Sequence, residues 1–188
     1  MRVISGKLKG KKILLPKDKL TRPLRDLVKE SIFNLLEHSN KLNISTTNAN
    51  VLDLFSGSGS FGLEIISRGA EKVTFVENYS PAYEILSKNI INLQCQNETE
   101  IINANCFDYI NKLNKEELKF DLIFLDPPFK EKEINNLIEN IKNKELLNKD
   151  GIIILHRHKK DDIKISDTLN ILDDRNYGIS KIIFGKYS

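Results

Sequence analysis

Apolar positions along this chain follow two periods. From Arg25 to His38 they recur at helical spacing, at Leu27, Val28, Ile32, Leu35 and Leu36. From residue 51 onward, short apolar runs of strand length alternate with amphipathic segments. Strands are expected at 51–55, 72–76, 100–104, 120–125 and 152–155, with two more around 169–172 and 179–184. Helices are expected from the turn after Phe55 through Ile66, over 81–92 with Pro81 in the first turn, over 107–113 and over 134–147. Strands separated by helices imply an α/β fold with a mostly parallel sheet covered on both faces. Residues 2–15 alternate loosely around Gly6-Lys7-Leu8-Lys9-Gly10 and predict a β-hairpin. One domain is expected over 1–188: a hairpin-and-helix appendage at 1–40 and a core at 41–188.

With 188 residues, 40% hydrophobic and 29% charged, the chain is long enough for one substantial core and is neither disordered nor membrane-like in composition. Its two cysteines, Cys95 and Cys106, imply no disulfide framework and favour a reducing compartment. The start lacks the apolar stretch of a signal peptide, and no apolar run approaches the roughly 20 residues a membrane span needs. The expectation is a cytoplasmic monomer. Charge is unevenly spread. Residues 1–30 carry ten Lys/Arg and three acids, a net +7, while the whole chain carries +3. A basic arm on a mildly acidic body suits contact with phosphates.

Two segments carry chemistry. Gly57-Ser58-Gly59-Ser60-Phe61-Gly62 fits G-x-G-x-x-G after a strand and before a helix, where the backbone can approach a ligand and the helix start favours an anionic group. Glu77 follows 20 residues after Gly57, at the end of the second strand, where a carboxylate can hold ribose hydroxyls. Taken alone, the turn suits a dinucleotide or S-adenosylmethionine. Asp53, inside the first strand, is poorly placed beside a pyrophosphate and well placed for the ammonium of S-adenosylmethionine. It also suits a plain turn-stabilising acid. The second segment is Asp126-Pro127-Pro128-Phe129, which closes the fourth strand. Two prolines stiffen it and remove donors, so it presents acceptors beside an aromatic ring, as a planar base bearing an amine requires.

Together these residues resemble the class I amino-methyltransferases with a (D/N/S)-P-P-(F/Y/W) motif. Nearly the whole chain is similar to the RsmD-type enzymes that methylate N2 of a guanine in bacterial 16S rRNA. The specific part is the opening Arg2-Val3-Ile4-Ser5-Gly6 with Lys9-Gly10-Lys11, the Arg22-Pro23 break and Lys29-Glu30-Ser31-Ile32-Phe33-Asn34. Asp53 to Gly59, Gly62-Leu63-Glu64, Ser67-Arg68-Gly69-Ala70 and Tyr177-Gly178 extend it. The resemblance implies a Rossmann-like class I methyltransferase fold, with a seven-stranded sheet and a C-terminal antiparallel strand. It implies S-adenosylmethionine as cofactor and 16S rRNA or a small-subunit assembly intermediate as partner, with no metal. Asp53, Phe55, Gly57 and Gly59 would bind the methionine end, Glu77 the ribose, and Asn105 and Cys106 the adenine. Asp126, Pro127, Pro128 and Phe129 would hold the target base. Arg2, Lys7, Lys9, Lys11, Lys12, Arg22 and Arg25 would contact RNA.

The chain departs from the family's usual pattern at Leu24 and Leu27, where a Thr and a basic residue are usual, and at the end of the fifth strand. There an acid is common, and this chain has His156-Arg157-His158. The two histidines, two apart with no third ligand, are read as surface or RNA-facing residues and not as metal ligands. Three other readings stay open on the residues: an NAD-type oxidoreductase, a non-catalytic RNA-binding protein, and an amino-methyltransferase acting on adenine N6 or another base amine in RNA or DNA.

Overall fold

The structure is a computed structural model that describes residues 1–18, 24–114, 118–161 and 164–187. Its centre is a seven-stranded sheet in the order β3-β2-β1-β4-β5-β7-β6. The strands are β1 (Asn50–Leu54), β2 (Lys72–Val76), β3 (Thr99–Ile102), β4 (Phe120–Leu125), β5 (Leu147–His158), β6 (Leu169–Tyr177) and β7 (Ser180–Tyr187). The first five run parallel, and β7 is antiparallel to both β5 and β6. The strand order reverses between β1 and β4, and the carboxyl ends flanking that reversal are where an open α/β sheet binds ligands.

Side chains alternate across the sheet, so each strand feeds two cores. Val51, Val73, Phe75, Leu122, Phe124, Ile152 and Ile154 face one side, which α1 (Asp26–His38), α2 (Ser60–Ser67) and α3 (Ser80–Leu93) cover. Leu52, Leu54, Val76, Ile123, Leu125, Ile153 and Leu155 face the other, under α4 (Cys106–Lys112) and α5 (Ile134–Asn143). Phe61 of α2 stacks on Phe124 at 3.9 Å between ring centroids and on Phe33 of α1 at 5.3 Å. Gly62 is required where α2 crosses β2, since a Cβ there would lie 2.2 Å from the Phe75 ring. Among the described residues no helix is long and apolar enough to cross a membrane.

Two expected elements end elsewhere. The helix expected to reach Leu147 stops at Asn143: Glu145 adopts φ 53°, and the Leu146 amide bonds back to the Ile141 carbonyl at 3.1 Å, which closes the helix. The fifth strand runs on to His158 because its last residues pair with β7, His156 opposite Ile182 and His158 opposite Ser180.

The N-terminal hairpin is also less regular than its alternation predicts. One bridge, Arg2 to Lys12, joins its arms. Val3 also exchanges backbone bonds across the turn, its amide donating to the Lys11 carbonyl and its carbonyl accepting the Gly10 amide, both at 2.9 Å, and further backbone groups reach side chains of the core. Ile4 and Ser5 amides donate to Glu64 at 2.7 and 2.9 Å, and the Leu8 amide donates to Ser67 at 2.9 Å. Leu14 exchanges bonds with the buried Asn89 amide, its N–H donating at 2.8 Å and its carbonyl accepting at 3.0 Å. Val3 and Ile13 are 1% exposed and belong to the core under α1, α2 and α3. Gly6, at φ 78°, lies so close to Ser67 that a Cβ would sit 1.8 Å from its carbonyl oxygen.

Candidate active site at the strand reversal

Strand register brings the candidate residues together. Leu54 pairs with Val76 on one side and with Leu125 on the other, and Leu125 pairs with Leu155. The residues that follow these four, Phe55, Glu77, Asp126 and His156, therefore stand in a row along the carboxyl edge. Phe55 starts the glycine turn with φ 62°, a left-handed conformation uncommon for a bulky residue and typical of functional turns.

Asp53 is 1% exposed, and its Oδ2 accepts the Gly62 amide at 3.0 Å, tying β1 to the start of α2. The turn-stabilising role is thus real, and the carboxylate still bears on the site. Burial holds the Asp53 carboxyl well above its usual range; the negative charges of Asp126 and Glu77 push the same way, against the Gly62 bond. Glu77 accepts the Gly57 amide on Oε2 and the Tyr79 amide on Oε1, both at 2.7 Å. Each oxygen keeps a further lone pair for a hydroxyl. Asn105 does not present its side-chain oxygen freely to a ligand: it caps α4 by accepting the Phe107 amide at 2.8 Å. Cys106, at the first position of that helix, is buried, and burial pushes its thiol up to about 12. The Phe55 amide is its hydrogen-bond partner, and the charges of Glu77 and Asp53 bear on it.

Asp53, Glu77 and Asp126 thus form a cluster of carboxyl groups, and no described Lys or Arg forms an ion pair with them. Such a donor set fits a ligand with fixed positive charge. Among the described residues no group of His, Cys, Asp and Glu could hold a metal ion.

The Asp126-Pro127-Pro128-Phe129 segment is held by His156, expected at the surface, and by its neighbour Arg157. His156 is 8% exposed, with Nδ1 2.7 Å from Asp126 Oδ1 and Nε2 2.9 Å from Ser180 Oγ. Arg157 is 3% exposed, and its guanidinium donates to the carbonyls of Pro128 and Phe129 at 3.2 Å and of Glu131 at 3.0 Å, while pairing with Asp161. Phe129 meets His158 and His156 edge-on, at 5.2 and 6.1 Å between centroids. His156 is a correction to the surface reading, whereas His158 is partly exposed: a strand end looks exposed until its antiparallel neighbour is known.

The expected RNA contacts divide. Arg2, Lys9, Lys11, Lys12 and Arg25 are exposed. Lys7 is exposed as well and pairs with Glu98 at 2.6 Å. Arg22 lies outside the described residues. Lys29, counted in the basic arm by charge alone, is 0% exposed and sits 3.4 Å from Glu64. Of the two departures, Leu24 is buried and Leu27 is 67% exposed on α1.

The model of the family described as conserved hypothetical protein 95 matches residues 1–186. The chain belongs to this family, whose curated members include the RsmD-type methyltransferases. Ribosomal RNA small subunit methyltransferase D of Haemophilus influenzae is 33% identical over 185 residues, covering 95% of this chain and 90% of its own. Its counterpart in Buchnera aphidicola subsp. Acyrthosiphon pisum is 34% identical over 161 residues, covering 86% and 80%. Among solved structures, Escherichia coli yhhF shares the fold with a TM-score of 0.85 at 23% identity, covering 100% of this chain and 98% of that one. Family and fold thus agree with the seven-stranded, Rossmann-like architecture.

Proposed function

We propose that this chain transfers the methyl group of S-adenosylmethionine to an exocyclic amine of a base in ribosomal RNA, with guanine N2 of 16S rRNA as the target. The observation that carries the reading is the row Phe55, Glu77, Asp126 and His156, which sets the glycine turn and its carboxyl groups directly beside a stiff loop of acceptors. The relatives named as small-subunit rRNA methyltransferases support rRNA as the substrate class.

Bound S-adenosylmethionine supplies a methyl group already activated on a sulfonium, so the protein contributes position and electrostatics. Asp53, Phe55, Gly57 and Gly59 hold the methionine end, where the carboxylate cluster offsets its positive charge. Glu77 offers its remaining lone pairs to the ribose hydroxyls. The amide of Cys106 faces the adenine side, and Asn105 contributes by fixing the start of α4. At the target base, the amine donates one N–H to Asp126 and one to the Pro127 carbonyl, which turns the nitrogen lone pair toward the methyl group. Among the described residues no donor occupies the Pro127 carbonyl, whereas Arg157 takes those of Pro128 and Phe129. Phe129 stacks on the ring of a base that has left its own stack. Arg2, Lys9, Lys11, Lys12 and Arg25 contact backbone phosphates.

Methyl transfer to an rRNA fragment, followed by mapping of the modified nucleotide, tests this. RNA with inosine in place of the target guanine keeps the ring and lacks the N2 amine. It is expected to bind and to accept no methyl at that position. Methylation of the inosine at that nucleotide would overturn the guanine N2 assignment.

A further inference from the structure

Asp126 and His156 are neighbours because the β4–β5 register continues one residue past the Leu125–Leu155 pair. His156 is nearly buried between Asp126 and Ser180, the first residue of β7. A neutral imidazole has one donor and one acceptor nitrogen, and an ionised carboxylate only accepts. Nδ1 therefore carries the hydrogen and donates to Asp126, and Nε2 accepts the Ser180 hydroxyl. For the neutral ring the order is Ser180 O–H to Nε2, then Nδ1–H to Oδ1, and the bond from Nδ1 to the Asp126 carboxylate holds for the charged ring as well. One Asp126 oxygen is engaged at 2.7 Å, so the carboxylate cannot turn freely, and Oδ2 remains for an incoming amine.

We propose that His156 is a positioning residue for methyl transfer, holding the Asp126 carboxylate in one orientation through a Ser180–His156–Asp126 hydrogen-bond chain. The proposal rests on the reading of Asp126 as acceptor for the target amine. Its consequence is specific: His156 acts on turnover through Asp126, and its hydrogen-bond partners are Asp126 and Ser180 and not the residues read as holding the cofactor.

Steady-state methyl transfer to an rRNA fragment, compared across His156→Ala, His156→Asn, His156→Gln and Ser180→Ala with Asp126→Ala as reference, tests it. Asparagine places an amide N–H where Nδ1 stands; glutamine reaches only the Nε2 position. His156→Ala is expected to lower kcat about 10- to 100-fold, the range for one hydrogen bond to a charged acceptor, with KM for S-adenosylmethionine nearly unchanged. His156→Asn is expected to recover most of that loss and His156→Gln little. Ser180→Ala is expected to lower kcat less than His156→Ala. If His156→Ala folds poorly, the asparagine–glutamine contrast still decides. Equal impairment of those two, or a wild-type kcat for His156→Ala beside an inactive Asp126→Ala, overturns the positioning role alone. An active Asp126→Ala overturns the reading of Asp126 on which it rests.

Discussion

Glu64 is the residue whose loss is expected to cost the fold most. Its side chain is 0% exposed and accepts four groups: the Ile4 amide at 2.7 Å, the Ser5 amide at 2.9 Å, Arg68 Nε at 3.0 Å and the Lys29 ammonium at 3.4 Å. Lys29, also 0% exposed, donates to the Arg2 carbonyl at 3.0 Å. Burial holds the Lys29 amine below its usual range despite the pull of Glu64. Glu64→Ala leaves that cation without its counter-charge, which costs about 3–5 kcal/mol for a broken buried pair. It also strips two backbone amides of their acceptor, at about 1–3 kcal/mol each if they stay dry. The contributions overlap, so about 4 kcal/mol is a floor for the intact fold. Domains of this class hold roughly 5–15 kcal/mol in all. At about 2–4 °C per kcal/mol for this size, Tm falls by about 8–16 °C. Lys29→Met should cost less, because Glu64 keeps Arg68 and both amides. Urea unfolding followed by far-ultraviolet circular dichroism measures both variants. A Glu64→Ala protein within about 1 kcal/mol of wild type would refute the reasoning.

Three further outcomes are expected. Asp53 is raised in the folded state, so its contribution to stability is present below the unfolded carboxylate pKa and is lost as pH rises through the folded one. Asp53→Asn keeps an oxygen for the Gly62 amide and removes the charge; at neutral pH its ligand-free Tm should equal or exceed wild type while calorimetry shows weaker S-adenosylmethionine binding. A lower Tm with unchanged affinity contradicts this. Glu77→Ala should weaken S-adenosylmethionine at least about tenfold, as the loss of one charge-assisted bond requires, and unchanged affinity removes Glu77 from the site. Replacing exposed Lys9, Lys11 and Lys12 with alanine should reduce the salt slope of binding to single-stranded RNA by about 2, at about 0.7 per phosphate lost, without lowering Tm. An unchanged slope makes the arm a solvated surface. Substitution is the sharper test than deletion, since Val3 and Ile13 are part of the core.

What the sequence made legible was what depends on neighbours along the chain. The glycine turn is a local demand for positive φ, met at Gly57 (56°) and Gly59 (80°), and its place between a strand and a helix is readable without a fold. Strand and helix order follows from periodicity, and so does the carboxyl edge that gathers Asp53, Glu77 and Asp126. The hairpin was half legible: its alternation is real, with Val3 and Ile13 inward and backbone bonds between its arms, but it is also tied down by Glu64, Ser67 and Asn89, at least 59 residues away. No local pattern carries such partners. Lys29 misleads for the same reason, because a charge sum cannot distinguish a solvated lysine from one paired at 0% exposure.

His156 and Arg157 sit at the limit of this logic. The apolar run of β5 stops at Leu155, and a His-Arg-His stretch after it has the composition of a loop. Its burial follows from β7 returning antiparallel and pairing as far as Ser180, so that a strand continues where hydrophobicity has ended. A long-range rule was nonetheless available. In a parallel sheet, residues one past each strand lie side by side, and the residue after Leu155 must stand next to the residue after Leu125. Applied to Asp126, that rule places a histidine beside its carboxylate, while the burial of Arg157 depends on the pairing with β7 as well. The polar residues that follow an apolar strand are therefore better read by the register of the sheet than by their own character.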